Sequence, residues 1–327
     1  MIGWKVLFVV MMSIGMTVGE ASPLPGPFFS SPNNVVQMDK SWKEMPITAV
    51  DHPNADIVIS LDQALYEGLQ SLIQEYARNN HLDIAISKGT CGITAGGLIK
   101  KQIDIGGLCC PPGANDRLPG VQFHTLGIAP ISILMNPNNH ITSLTLEQLR
   151  EIFSGHIYKW ERLPSSGMRG NIHVTTRLHC KLRPGHWRQL LDNENDFSPS
   201  ARDVGAIRDL LEIVATDPKA IGYESPWMVN RYGYNSKVKR IDVSNGANPN
   251  GGHALFRTFN VTTWSDNATR NPEAEKLVAW LIKESQRIDS HFQFISAATL
   301  RNHGWIFQGD ELVGLPDISH PDQESKR

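Results

Sequence analysis

The sequence predicts an α/β chain built around parallel strands with helical crossovers. Three observations point there: short apolar segments of strand character, longer segments with apolar residues at helical spacing, and the alternation of the two. "ADIVIS" (Ala55 to Ser60) is the first strand. In "LDQALYEGLQSLIQEYARNN", Leu65, Leu69, Leu72, Ile73 and Tyr76 fall on one helical face, and Asn79 and Asn80 offer a stop. "LDIAIS" (Leu82 to Ser87) is a second strand, "KGTCGITAGGLIKKQ" a glycine-bearing loop feeding a short helix, and "IDIGGL" (Ile103 to Leu108) a third strand.

Length and composition set the bounds. The 327 residues, 40% hydrophobic and 20% charged, can bury a sizeable core in one or two domains. With 31 basic against 33 acidic residues the net charge is −2, which gives no field to gather nucleic acid or an anionic membrane. Any anion site is therefore local.

At the amino terminus Lys5 precedes the apolar run "VLFVVMMSIGMTV", and small residues follow at Gly19 and Ala21. This pattern reads as a secretory signal peptide over residues 1–21, because the run is well short of the roughly 20 apolar residues a spanning helix needs. The mature chain is expected to be exported, without stable membrane insertion. Residues 22–53, rich in Pro, Ser and Asn, read as an N-terminal arm, and 316–327 as a C-terminal tail.

An oxidising compartment favours disulfides, and four cysteines allow three pairings. Cys109 and Cys110 are adjacent, where a bridge between neighbours is strained, so a partner for one or both is sought in Cys91 or Cys180. No spacing matches a zinc finger, a redox C-x-x-C or a haem attachment. A G-x-S-x-G elbow, a Walker loop and an H-E-x-x-H helix are also missing from the sequence. In open α/β sheets ligands bind outside the carboxyl ends of the strands, which places Ser60–Asp62, Ser87–Gly92 and Leu108–Cys110 on the rim of a site. Helix amino termini there suit an anion without an excess of lysine.

From Leu126 to Leu163 the chain reads as a strand, an Asn-Pro-Asn-Asn turn, and a helix in which Leu146, Leu149, Ile152 and Phe153 share a face, ended by Gly155. "SLTLEQLREIFSGHIYKW" (Ser143 to Trp160), followed by "AIGYES" (Ala220 to Ser225) and "NPEAEKLVAWLIKES", closely resembles the phosphate-type periplasmic substrate-binding proteins of bacterial ABC transporters. The resemblance covers about Asp56 to Ile306. It implies a periplasmic location and a type II two-lobe fold, each lobe a mostly parallel sheet flanked by helices, with the ligand cleft between them. Lobe 1 is then expected over 54–135 and 245–315, and lobe 2 over 136–244. Within lobe 2, "IHVTTRLH" is a strand and "DVGAIRDLLEIVAT" a helix, while "DVSNGANPNGG" (Asp242 to Gly252) supplies a crossing.

Carried over residue by residue, the resemblance implies a site of Ser60, Thr90, Cys91, Gly92, Cys109, Arg177, Cys180, Lys181 and Arg183. The family's acidic position falls on Cys109, and its Ser-Gly-Thr loop is replaced by "HCKLRPG" (His179 to Gly185). A pocket carboxylate accepts a hydrogen bond from a protonated oxyanion, so its replacement puts phosphate selectivity in question. Lys181 and Arg183 can supply charge-assisted hydrogen bonds instead. The function so implied is capture of phosphate or a phosphate-like oxyanion by a monomeric receptor without a cofactor, for an ABC permease or a membrane sensor kinase. Two alternatives stay open: a cysteine-based arsenite or metalloid sensor, as in a related branch of binding proteins, and a periplasmic thiol redox enzyme. A disulfide from Cys91 to Cys109 or Cys110 fits either receptor reading.

Overall fold

The apolar runs and amphipathic periods resolve into two six-stranded sheets. The computed structural model describes residues 28–178, 185–191, 196–244 and 253–316. The first sheet holds β1 (Ile57–Asp62), β2 (Ile84–Gly89), β3 (Ile105–Leu108), β4 (Val121–Pro130), β11 (Phe256–Trp264) and β12 (Ile295–Ser296), in the order β12-β4-β11-β3-β1-β2. The second holds β5 (Ser132–Met135), β6 (Ser143–Thr145), β7 (His173–Arg177), β8 (Arg202–Val204), β9 (Ala220–Glu224) and β10 (Lys239–Ser244), in the order β6-β10-β5-β9-β7-β8. A small hairpin, β13 (Ile306–Gln308) with β14 (Glu311–Gly314), follows.

Both sheets are mixed, and in the second the parallel pairs predominate, with β6 beside β10 and β7 beside β8 and β9. β1 runs parallel to β2 and β3, as the strand and helix alternation requires, but β11 runs antiparallel to β3 and β4, and β12 to β4. In the second sheet β5 is antiparallel to both β9 and β10. The chain passes straight from β4 in one sheet to β5 in the other, so the single strand read at Leu126–Met135 is divided at Ile131. The segment Ser132–Met135, which the sequence placed at the end of lobe 1, therefore pairs in the second sheet. The proposed return crossing falls mostly on 245–252, outside the described residues, as do the signal peptide and the tail beyond 316.

Helices form where the periods place them. α2 (Gln63–Asn80) starts at Asp62, whose carboxylate accepts the Ala64 N–H, and ends at His81 in the left-handed region, one residue past the expected stop. α4 (Leu146–Ser154) carries a capping box in which Thr145 and Gln148 bond each other's backbone N–H, and Gly155 ends it at φ 84°. The arm is more ordered than its composition predicts, since Lys40–Glu44 forms a short helix, α1. Fully buried Lys101 holds it, donating to the carbonyls of Lys43 and Met45 with its ammonium 4.4 Å from the Trp42 ring. Burial lowers the pKa of this lysine.

α3 (Cys91–Ile99) packs over β1 and β3, and Gly106 allows that close approach, since a Cβ there would lie 2.9 Å from Leu98 Cδ1, while Gly107 lies against Leu61 of β1 and Leu65 of α2. A Cβ at Gly107 would lie 2.4 Å from Leu61 Cδ2 and 3.0 Å from Leu65 Cδ2, whereas one at Gly96 in α3 would meet nothing within 4 Å. Gly107→Ala is accordingly expected to cost about 1–3 kcal/mol by overpacking. Gly96→Ala should instead stabilise by about 0.5–1 kcal/mol. Urea unfolding of the two variants checks this, and an equal effect of both would contradict the packing described.

Candidate functional site

β1, β2 and β3 end side by side, and the residues just beyond them converge. Thr90 caps α3, its hydroxyl accepting the Ile93 N–H, which places Cys91 in the first turn. β3 ends at Leu108, and the chain bends at Cys109–Cys110 before Pro111 and Pro112. In an extended strand adjacent side chains point to opposite faces. The bend brings them to the same side, and the Cys109 and Cys110 sulfurs stand 3.9 Å apart. Cys91 Sγ lies 3.3 Å from Cys109 Sγ and accepts the Cys109 N–H at 3.4 Å. All three sulfurs lie within 4.8 Å of one another.

At 3.3 Å Cys91 and Cys109 are in contact rather than joined by a bond of about 2.05 Å, and any pairing with Cys180 lies outside the described residues. Cys109 and Cys110 are buried, and Cys91 is partly open. Hydrogen bonding among the thiols, then burial and the Asp62 carboxylate, puts Cys91 and Cys109 well above the usual thiol range. Asn260 on β11 fixes the bend by donating to the Cys110 carbonyl at 2.9 Å. Cys109 and Cys110 belong to an apolar cluster that also takes in Ile207, Leu210 and Met228 from beside the second sheet.

The other expected site residues divide. Ser60 lies under α3, its hydroxyl 3.1 Å from that of Thr94. With Gly92, His52 and Lys100 it lines a cavity of about 420 Å³ whose wall does not include the thiols. Arg177, at the end of β7, is buried and 3.6 Å from Glu224, and its Nε makes no hydrogen bond within the described protein. Cys180, Lys181 and Arg183 lie outside the described residues.

Nothing in the sequence marked Glu224 or Arg257 for the site. Glu224 accepts from Arg257 at 2.6 Å and from the Ser225 N–H at 2.7 Å, joining β9 of one sheet to β11 of the other. Cys110 could have been found from its adjacency to Cys109 ahead of two prolines, a pattern that breaks the strand and its alternation of faces.

This architecture, two mixed sheets with a rim of strand-end loops, is that of the two-lobed binding proteins. Residues 48–180 match the model of the PBP superfamily domain. Among solved structures, the chain is similar to an ABC-type phosphate transport receptor from Vibrio cholerae, at 20% identity and a TM-score of 0.57, covering 73% of this chain and 99% of that one. It is similar to a substrate-binding protein from Clostridium perfringens solved with bound phosphate, at 17% identity and a TM-score of 0.61, covering 74% and 99%. It is also similar to PstS from Borrelia burgdorferi, at 15% identity and a TM-score of 0.50, covering 73% and 98%. In a comparison with curated proteins nothing matches the chain. At these identities the likeness is one of fold, and it bears out the type II architecture read from the helix motif. No helix among the described residues is long and apolar enough to cross a membrane.

Proposed function

We propose that the chain is an exported solute-binding receptor that captures one small inorganic solute between its lobes and presents it to a membrane partner, an ABC permease or a sensor kinase. The observation that carries this reading is the three-thiol group on the loops after β2 and β3, where proteins of this fold place their ligand. Those thiols also favour the cysteine-based alternative over phosphate. The Ser60 and Thr90 hydroxyls make contacts inside the lobe, and by the resemblance the family's acidic position falls on Cys109. The oxyanion reading draws its support from Arg177, a buried guanidinium with a donor to spare. A thiol nucleophile in turnover is favoured by a depressed pKa, and these are raised, which supports capture without turnover.

Thermal unfolding of the reduced protein with phosphate, arsenate or arsenite added tests the reading. Saturation at 100 times Kd should stabilise by about 2.7 kcal/mol. Arsenite is expected to do so in the parent and to fail in Cys109→Ser. Stabilisation by phosphate alone, retained in Cys109→Ser, would return the assignment to an oxyanion, and no response to any of the three would overturn the receptor reading.

A further inference from the structure

The structure assigns Cys91, Cys109 and Cys110 as one three-sulfur site for the neutral trihydroxide of a trivalent metalloid, bound through all three sulfurs at once. This rests on the receptor reading only for its biological use, not for its chemistry. Three sulfurs each ~2.3 Å from one centre stand ~3.3–4.0 Å apart, depending on the bond angle. Two edges of the group, 3.3 and 3.9 Å, lie in that range, and the third is no longer than 4.8 Å. The sulfurs come from two loops whose positions are set by the α3 cap at Thr90 and by the Asn260 bond to the Cys110 carbonyl, so the site is largely preformed. Cys91 is the partly open member and the route of entry.

Charge selects the class of ligand. The charge that acts on Cys91 and Cys109 from the described residues is the Asp62 carboxylate. Three thiolates on a divalent cation would leave a net negative complex in an apolar cluster beside that carboxylate, and an unpaired buried charge is costly. Exchange with a trihydroxide avoids it. Three S–H groups meet E(OH)₃, three E–O bonds break, three E–S bonds form, and each thiol proton leaves with a hydroxide as water. No electron is transferred, and the product is neutral. Thiolate softness supplies the affinity. A divalent ion that prefers four tetrahedral donors finds three in this group among the described residues.

The test uses the full exported chain, kept reduced, with arsenite as probe and zinc as competitor. Native intact mass should show one arsenic per chain with the loss of three hydrogens. X-ray absorption at the arsenic edge should show three sulfur neighbours and no oxygen. Cys91→Ser, Cys109→Ser and Cys110→Ser should each weaken binding by more than the ~10–100-fold that outer-sphere partners cost. The absorption measurement needs no variant, so a misfolded mutant does not decide the matter. Arsenic held by two sulfurs and an oxygen, or displaced by equimolar zinc, would overturn the proposal. Small-angle scattering separates this failure from that of the receptor reading. Three-sulfur binding with no change in the radius of gyration leaves the site standing and refutes lobe closure. Closure on phosphate, unchanged in Cys109→Ser, does the reverse.

Discussion

Replacement of Glu224 by alanine is expected to destabilise the protein by about 3–5 kcal/mol. Glu224 is 2% exposed, and its carboxylate faces Arg257 at 2.6 Å and Arg177 at 3.6 Å, both guanidiniums buried as well. Removing the acid leaves two positive charges in a low-dielectric setting and takes the acceptor from the Ser225 N–H. Position matters as much as burial. Glu224 pairs in register with Ser132, one residue past Ile131, while Arg257 pairs with Ala129, so the bridge spans the point where the chain leaves one sheet for the other. Glu224→Gln keeps an acceptor but loses the charge and should fall between parent and alanine. Urea midpoints for both variants at unchanged slope check the ordering. A cost below about 1 kcal/mol for Glu224→Ala would show that this bridge does not hold the sheets together.

A similar loss, about 3–5 kcal/mol, is expected for Arg117→Ala. Arg117 donates to both carboxylate oxygens of Glu311, at 3.1 and 2.6 Å, and also to the hydroxyl and carbonyl of Ser30. One buried side chain thus joins the arm, the loop before β4 and the β13–β14 hairpin, three segments remote in sequence. Truncation strands a carboxylate that is 6% exposed. The pair itself contributes little relative to a well-packed apolar substitute, so Arg117→Met combined with Glu311→Leu should recover most of the stability lost in the single variant. Chemical denaturation of both variants decides it. A double variant no more stable than Arg117→Ala would mean that the Ser30 bonds, rather than the buried charge, carry the effect.

The order of elements was legible because it rests on local physics. Leu65, Leu69, Leu72 and Tyr76 repeat at helical spacing whatever lies around them, and Gly155 marks the end of α4 from the sequence outward. The rim of the site could also be read, since β1, β2 and β3 must run parallel when helices connect them, and their carboxyl ends then share one edge. What escaped is what depends on segments far apart in the chain. The antiparallel β4 and β11 pair across more than a hundred residues, and no periodicity within either strand states its direction.

The sequence by itself determined the α/β class, the binding-protein likeness, and the placing of Cys91 and Cys109 on neighbouring loops. The two prolines after Cys110 mark a break in the strand, and tertiary structure decided that Cys110 joins the others, because the bend held by Asn260 turns the adjacent side chains to one side. It also decided that Ser60 faces α3 rather than the thiols and that Arg177 meets Glu224. Side-chain facing within a strand follows from its register with strands encoded elsewhere, and buried charges find partners only when distant segments pack together.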